Sequence, residues 1–534
     1  PETSAPLKRV DWLESVIETP SVHHEADPVP KVATWIDQVI GSKSYDLLVN
    51  WTGESSTSRM AAILSTLIPA LVKFGVGLRD DLSLIAHDAW SIYQQVWAHS
   101  KSEVGQDIHQ TDIITTQLLT ALQIHVGDPT PEAGVSVVTS KYFFKMIQSA
   151  LPDVWSTRKK GLKWVAIHPL SLGERADEWI EMVLRRHPDV GVVILGEAPS
   201  PIEIDSERVL DLSTQTHFDS SVQVLSQCHW LVSGTSPVVA LASLLNTRIF
   251  QVVQGEGLKW IESGPYGNTH LVAQFSDEWE PETAYAVWSH AQTEWFHRGK
   301  ISLADHAQNL GLYEAVSEIK LYRSRIRPAT EGGGVSYDRI PLNSNLIVPT
   351  DFETWMYRIR GQMARAWFCG WAPPIEEECK LFKLNPELLR RIRVMQESLG
   401  VLRRVILEGR ETSRSLELTS GSVRATYLMS AEDRLAIEEF GKKLLEIEGL
   451  ISRVTQVEPS LHGFLKLYQG VIQNLRGETI PQMAKETTHA FDLVLEGMDM
   501  LDSFIKETLD LARPKSVAPV LSRPLATPTV PSTH

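Results

Sequence analysis

The chain has 534 residues, 43% hydrophobic and 22% charged, the balance of ordinary globular material, and this length sets an expectation of about three compact units. A formal net charge of −15 excludes a general nucleic-acid binder, whose surface must neutralise phosphates. Cys228, Cys369 and Cys379 show no CxxC spacing and leave an odd one over, so no disulfide framework or zinc site follows and a reducing compartment fits.

The amino terminus, PETSAPLKRVDW, has no apolar core of the kind a signal peptide needs. It starts at Pro1, so either a methionine is removed before it or the chain is a piece of a longer one. SYDLLVNWT (Ser44 to Thr52) has the pattern of a buried strand ending in polar residues. MAAILSTLIPALVKFGVGL, from Met60, is interrupted by Ser, Thr, Pro and Lys, which predicts a buried helix running into a strand and no membrane span. KWVAIHPLS (Lys163 to Ser171) is the next strand. A helix follows, with Trp179, Met182, Val183 and Arg186 at helical spacing, and then the strand GVVILGE (Gly191 to Glu197). HWLVSG, RIFQVVQG and HLVAQF continue the series at intervals of roughly 20 residues. Alternation of this kind predicts an α/β fold, with parallel sheets covered by helices on both faces. Ligands in such sheets sit beyond the carboxyl ends of the strands.

Two such units are predicted, residues 1–158 and 159–328. The glycine-rich stretch TEGGGVSYDRIPLNSN then marks a linker over 329–350. Residues 351–512 carry helical stripes: Leu444, Ile447, Leu450, Ile451 and Val454; Phe464, Leu467, Tyr468, Val471 and Leu475; Phe491, Val494, Leu495, Met498, Leu501 and Ile505. They predict an all-α helical bundle. The segment from Trp355 to Trp371 reads as aromatic core where bundle and α/β body meet, with a lipid-facing role as the alternative. RRIRV, from Arg390, reads as a solvated helix face, with a local basic patch as the alternative. The Pro/Ser/Thr-rich residues 513–534 predict a disordered tail.

Four segments, in order, resemble family 9 glycosyltransferases, the bacterial lipopolysaccharide heptosyltransferases. They are YDLLVNWTGESSTSRMAAILS, VGQDIHQTDIITTQLLTALQI, VAIHPLSLGERADEWIEMVLRR, and VLSQCHWLVSGTSPVVALASLLNTRIFQVVQ with the GPYG that follows it. The resemblance implies a GT-B pair of Rossmann-like domains, with 1–158 on the acceptor side, lacking its first strand, and 159–328 on the donor side. It implies transfer of a sugar from a nucleotide-sugar donor, ADP-heptose-like, to a bacterial glycan, glycolipid or protein acceptor. The reaction would invert the anomeric centre without a metal or other cofactor, in the cytoplasm or at the periphery of the inner membrane. The helical region 351–512 is left for a protein partner or self-association, with no nucleic acid and no transmembrane segment.

The resemblance also names residues. Ser171 matches a hydroxyl position of the loop HPLSLGER and Arg175 matches its lysine, keeping a charge for a phosphate. Gly196, Gly234 and Gly264 are counted with them as donor-side candidates, Gly264 opening the turn Gly264-Pro265-Tyr266-Gly267. The family writes its donor block as D-[ST]-G-x-x-H. Here Thr235 stands for the acid, Ser236 keeps the hydroxyl, Pro237 stands for the glycine and Ala240 for the histidine. The family's base, in a segment like "lGDvl", has no counterpart. Asp11 is a nominee or an ordinary strand-edge acid, and the catalytic residues stay unknown. His109 and Asp112 share a helix face and either bind an acceptor or bond each other and solvent. His23 and His24 lie in a polar loop. Two readings stay open: an active glycosyltransferase, or an inactive GT-B scaffold whose helical domain binds a partner.

Overall fold

The structure is a computed structural model and describes residues 29–41, 43–50, 56–79, 81, 83–88, 91–92, 108–117, 153–173, 175–196, 198–200, 202–216, 218–255, 257–297, 302–327, 334–340, 342, 350–369, 374–421 and 430–513. Asp11, His23, His24, Trp371 and the tail beyond 513 lie outside the described residues.

The first unit comprises α1 (Val29–Val39), β1 (Tyr45–Val49), α2 (Ser56–Leu67), β2 (Ala70–Phe74), β3 (Val76–Leu78), β4 (Leu84–Ala86) and α3 (residues 110–117). β1 and β2 are parallel, while β3 and β4 form an antiparallel pair. The Met60 stretch is a helix running into β2, as its breaks predict. Val32 and Ile36 of α1 pack with Ile63 of α2.

The second unit is built on one eight-stranded sheet, in the order β12-β11-β10-β9-β8-β5-β6-β7. Its parallel strands are β5 (Lys163–His168), β6 (Val190–Ile194), β7 (Val209–Asp211), β8 (Trp230–Ser233), β9 (Arg248–Gln254) and β10 (Leu271–Phe275). β11 (Lys320–Ile326) and β12 (Val335–Arg339) add an antiparallel edge. The helices are α4 (Asp153–Ser156), α5 (Ala176–Arg186), α6 (Phe218–Leu225), α7 (Pro237–Leu244), α8 (Pro281–His297), α9 (Leu303–Asn309) and α10 (Tyr313–Glu318). Every residue of β6 and β10 is buried. Burial along the whole strand, apolar but for Gln274 of β10, is what a sheet covered on both faces requires. One face packs against α5 and α8, where Trp179 and Trp288 meet edge-on at 5.2 Å. The other packs against α6 and α7 through Val222, Val224, Val239 and Leu241.

The strand order fixes where a ligand would sit. From β5 the chain moves outward to β6 and β7, then returns to β8 on the opposite side of β5 and continues to β9 and β10. The β5–β8 boundary is therefore the topological switch point, where two diverging connections leave a crevice beyond the strand ends.

The remaining helices are α11 (Phe352–Cys369), α12 (Ile375–Cys379), α13 (Pro386–Gly421), α14 (Ala431–Val457), α15 (His462–Gln473) and α16 (Ile480–Leu511). Capping boxes at Ser430 and Thr479 set the starts of α14 and α16. The stripes form one core, with Leu444, Val454 and Val471 only partly buried. Leu450 and Leu475 are the exceptions, the first exposed and the second half-buried outside that cluster. Trp355 is fully buried in that core, and Tyr357 joins Trp260, Tyr322 and Tyr337 of the α/β body, the arrangement expected of a junction segment. Arg390 pairs with Glu387 and Arg391 with Glu458, so these arginines of RRIRV are engaged on their own domain. Among the described residues no helix is long and apolar enough to cross a membrane.

One expectation is corrected. Residues 329–350, read as linker from their glycines, contain β12, which pairs along β11 from Val335 to Arg339. Its VSYDR pattern mixes buried and half-buried positions, as an edge strand does, and the preceding glycines mask it in the sequence.

The helical region is tied to both α/β units. Arg327, just past β11, makes a two-pronged pair with Glu378 of α12 at 3.1 and 3.2 Å, both side chains 4% exposed. Arg358 of α11 reaches Glu378 at 3.8 Å and also bonds Asp338 of β12. On the other side, Arg79 donates to the carbonyls of Gln473 (2.6 Å) and Leu475 (3.1 Å), and the Ala86 N–H donates to Asn474 Oδ1 at 2.6 Å. Glu378→Ala strands Arg327 in a dry site and is expected to cost about 3–5 kcal/mol. Replacing both Arg327 and Glu378 by Met should recover most of that loss, because Arg358 keeps Asp338. Denaturant unfolding of the two variants checks this.

Candidate functional site

β5 and β8 end level, with His168 opposite Ser233 in the register. After β5 the chain makes a 3-10 turn at Pro169–Ser171, and the carbonyl of the next residue, Leu172, accepts from buried Trp279 Nε1 at 2.5 Å. The turn places Ser171 against the loop after β8. Its Oγ donates to His168 O (2.8 Å), accepts the Gly234 N–H (2.8 Å) and lies 3.1 Å from Ser233 Oγ, which in turn lies 2.9 Å from Ser236 Oγ. A hydroxyl has one proton. Since that of Ser171 goes to His168, Ser233 must donate to Ser171, and Ser236 to Ser233. Ser236, half-buried at the N-cap of α7, is the outer end of this relay. A ligand accepting from Ser236 would interrupt only that last bond.

Gly234 is required by the approach of the two loops. A Cβ there would lie 2.0 Å from the Ser171 carbonyl oxygen, a contact with backbone that no rotamer can relieve. Gly196, after β6, is under no such demand: a Cβ would meet only Ala198 O at 3.6 Å. Thr235, Pro237 and Ala240 are all exposed, and none carries an acid or a base. Pro237 at the first turn of α7 keeps the helix geometry while removing one N–H.

Arg175 is exposed at the N-cap of α5 and binds Glu178 with two contacts, Nε to Oε1 at 3.2 Å and Nη2 to Oε2 at 3.1 Å. The guanidinium holds the Glu178 carboxyl below its usual value. An exposed i,i+3 pair is weak and exchangeable, so Arg175 can turn to a stronger anion without loss of fold.

The structure brings Ser171, Gly234 and Ser236 together, places Thr235 on the same loop, and sets Arg175 on the helix that follows Ser171. Gly264 belongs to a different cluster. It is buried, a Cβ there would lie 2.5 Å from Tyr337 Oη, and its carbonyl accepts from His109 Nε2 at 2.9 Å. Because His109 Nδ1 accepts the Thr111 N–H at 3.1 Å, the ring is the neutral Nε2–H tautomer. Burial lowers its pKa, consistent with that form. Asp112 accepts the Tyr266 hydroxyl at 2.7 Å and the Val335 N–H at 3.1 Å. The expectation that His109 and Asp112 satisfy each other and solvent is thus corrected: both are buried and bonded to the second unit.

Sequence reasoning missed Ser233 and Gln251. Gln251 pairs in register with Ser233, is fully buried, and neither of its amide atoms has a hydrogen-bond partner among the described residues. Such an amide costs roughly 1–3 kcal/mol unless a partner reaches it. The available signal was a glutamine inside the apolar run RIFQVVQG. Among the described residues no group of three or more His, Cys, Asp or Glu is placed to hold a metal ion.

Fold and crevice define an α/β chain with a topological switch in its larger sheet and an added helical region. No family model and no curated protein matches it. Among solved structures, E. coli heptosyltransferase WaaC with ADP is similar at 15% identity, over 55% of this chain and 87% of its own, with a TM-score of 0.36. A glycosyl transferase family 9 structure from Veillonella parvula is similar at 11% identity, over 58% of this chain and 86% of its own, with a TM-score of 0.34. At these TM-scores the overlaps carry no argument, and the architecture rests on the sheet itself.

Gly234→Ala should cost at least about 1–3 kcal/mol through overpacking against the Ser171 carbonyl, whereas Gly196→Ala should be nearly neutral. Thermal unfolding of the two variants side by side checks the contrast.

Proposed function

We propose that the chain is a glycosyltransferase-family protein that holds a nucleotide-sugar donor in the crevice between β5 and β8. The sugar would pass to a bacterial glycan, glycolipid or protein acceptor. The observation that carries this reading is the meeting of Ser171, Ser233, Gly234 and Ser236 at the switch point. The sequence resemblance to family 9 glycosyltransferases supplies the donor class, an ADP-heptose-like sugar nucleotide.

The chemistry follows from the leaving group. Cleaving the sugar–phosphate bond develops negative charge on a diphosphate, and in this reading Arg175, the Ser236 hydroxyl and the amino ends of α5 and α7 offset it. Each helix end supplies about 0.3–1 kcal/mol toward an anion. Arg175, moving from Glu178 to a phosphate, supplies the stronger charge-assisted contact. The group that deprotonates the acceptor hydroxyl is not assigned to any residue of the crevice. The replacement of the family's acid and histidine by Thr235 and Ala240 favours a second reading, in which the same body is an inactive scaffold and its helical region holds a partner.

Calorimetry with ADP, UDP, GDP and their common sugars separates the two. The expected result is saturable binding of one nucleotide class, weakened about tenfold or more in Arg175→Ala and in Ser236→Ala, the range for losing a charge-assisted hydrogen bond. Absence of binding by folded wild-type protein would overturn the donor reading and leave the scaffold.

A further inference from the structure

Helix α7 is short, eight residues, and its two ends are held by different parts of the chain. The N-terminal end is held by the Ser171–Ser233–Ser236 relay. Near the C-terminal end, Ser243 Oγ gives its only proton to Val239 O (2.9 Å) and therefore accepts the Tyr266 N–H (3.0 Å). Tyr266 continues the path, because its hydroxyl donates to Asp112 Oδ1 at 2.7 Å. His109, one turn away from Asp112 on the same segment, packs edge-on against the Tyr266 ring at 5.0 Å and donates to Gly264 O. The second oxygen of Asp112 accepts the N–H of Val335, which opens β12.

We infer that Asp112 is a positioning residue that couples α3 of the first unit to the crevice helix α7, through Tyr266 and Ser243. One carboxylate, 7% exposed, joins three segments far apart in sequence: α3, the loop after the Lys259–Ser263 turn, and the start of β12. Its removal breaks a bond to each of two partners at once, leaving His109 to Gly264 O and Tyr337 to Pro265 O as the remaining ties. The loop 264–267 has little slack to absorb the change, because Gly264 is closed in by Tyr337 and a Cβ at Gly267 would lie 2.6 Å from His270 Nε2. Displacement of α3 is therefore transmitted to Ser243 and along two turns of helix to Ser236. Seating of the first unit and the shape of the crevice become one equilibrium. The coupling stands on these contacts alone; only the ligand whose affinity reports it rests on the proposed nucleotide site.

The test uses the full chain and two conservative variants, Tyr266→Phe, which removes one hydroxyl, and Asp112→Asn, together with their double. Hydrogen exchange is followed in residues 110–117 and 237–245. Both variants are expected to speed exchange about tenfold in both segments, the size of one buried hydrogen bond to a charged acceptor, with the unfolding temperature of the helical region unchanged. For the nucleotide that wild type binds, each variant should weaken affinity by a similar factor and the double by no more than either single, as two links of one path require. Faster exchange confined to 110–117, or additive losses of affinity, would overturn the coupling. If wild type binds no nucleotide the donor reading fails, and the exchange pattern still decides whether the coupling exists.

Discussion

The crevice depends on the distance between two loops, the one after β5 and the one after β8. They approach so closely that a methyl group at Gly234 would overlap the carbonyl of Ser171. This approach lets one hydroxyl, that of Ser171, satisfy a carbonyl of its own turn and an N–H of the neighbouring loop. A buried backbone N–H without a partner is costly, so Ser171 is structural before it is anything else. The same contact aligns Ser233 and Ser236 toward the mouth. The alignment of these hydroxyls is a by-product of closing the sheet end.

The helical region acts on this arrangement from outside. It is anchored at one side by Arg327, Glu378 and Arg358 in a dry junction with the β11–β12 edge. On the other side, the 473–475 loop holds Arg79 and Ala86 of the β3–β4 hairpin. A buried ion pair adds little net stability over apolar packing. Its effect is to exclude other seatings, since any shift leaves a charge unpaired. The anchors thus fix orientation more than they add stability, and through β12 they share a strand with the Asp112 junction.

How much of this was legible follows from sequence distance. Strands β5, β6, β8, β9 and β10 are apolar runs whose burial on both faces follows from composition, and the helix stripes around Ile447, Tyr468 and Phe491 are buried as their periodicity implies. Ser171 and Ser236 were named from resemblance, and they lie within the same relay. β12 escaped because its glycine-rich approach resembles a linker. Helix-face arguments could not find the partners of His109 and Asp112, because Gly264, Tyr266 and Val335 lie more than 150 residues away and such arguments see only neighbours within a turn or two. Ser233 was invisible because a serine ending a strand carries no signal until the strand beside it is known.

In the proposed reading the crevice would hold an anion better than it would move a proton. Its hydroxyls, helix amino ends and exchangeable Arg175 suit a diphosphate, and no residue of the crevice is assigned the role of general base. Thr235 and Ala240 are exposed and offer neither an acid nor a histidine. In the proposed reading, a donor held by its phosphates alone would be oriented by charge and by the relay at Ser236, with the sugar left to contacts from the first unit. The seating of the first unit would then be decisive for any transfer. The contacts that seat it run through Asp112 and His109, away from the crevice itself. Selection for activity would then act on the junction as strongly as on the loop that touches the ligand. A scaffold that had lost catalysis would need the junction only for stability, and would tolerate loosening of the Tyr266 hydroxyl bond that an enzyme would not.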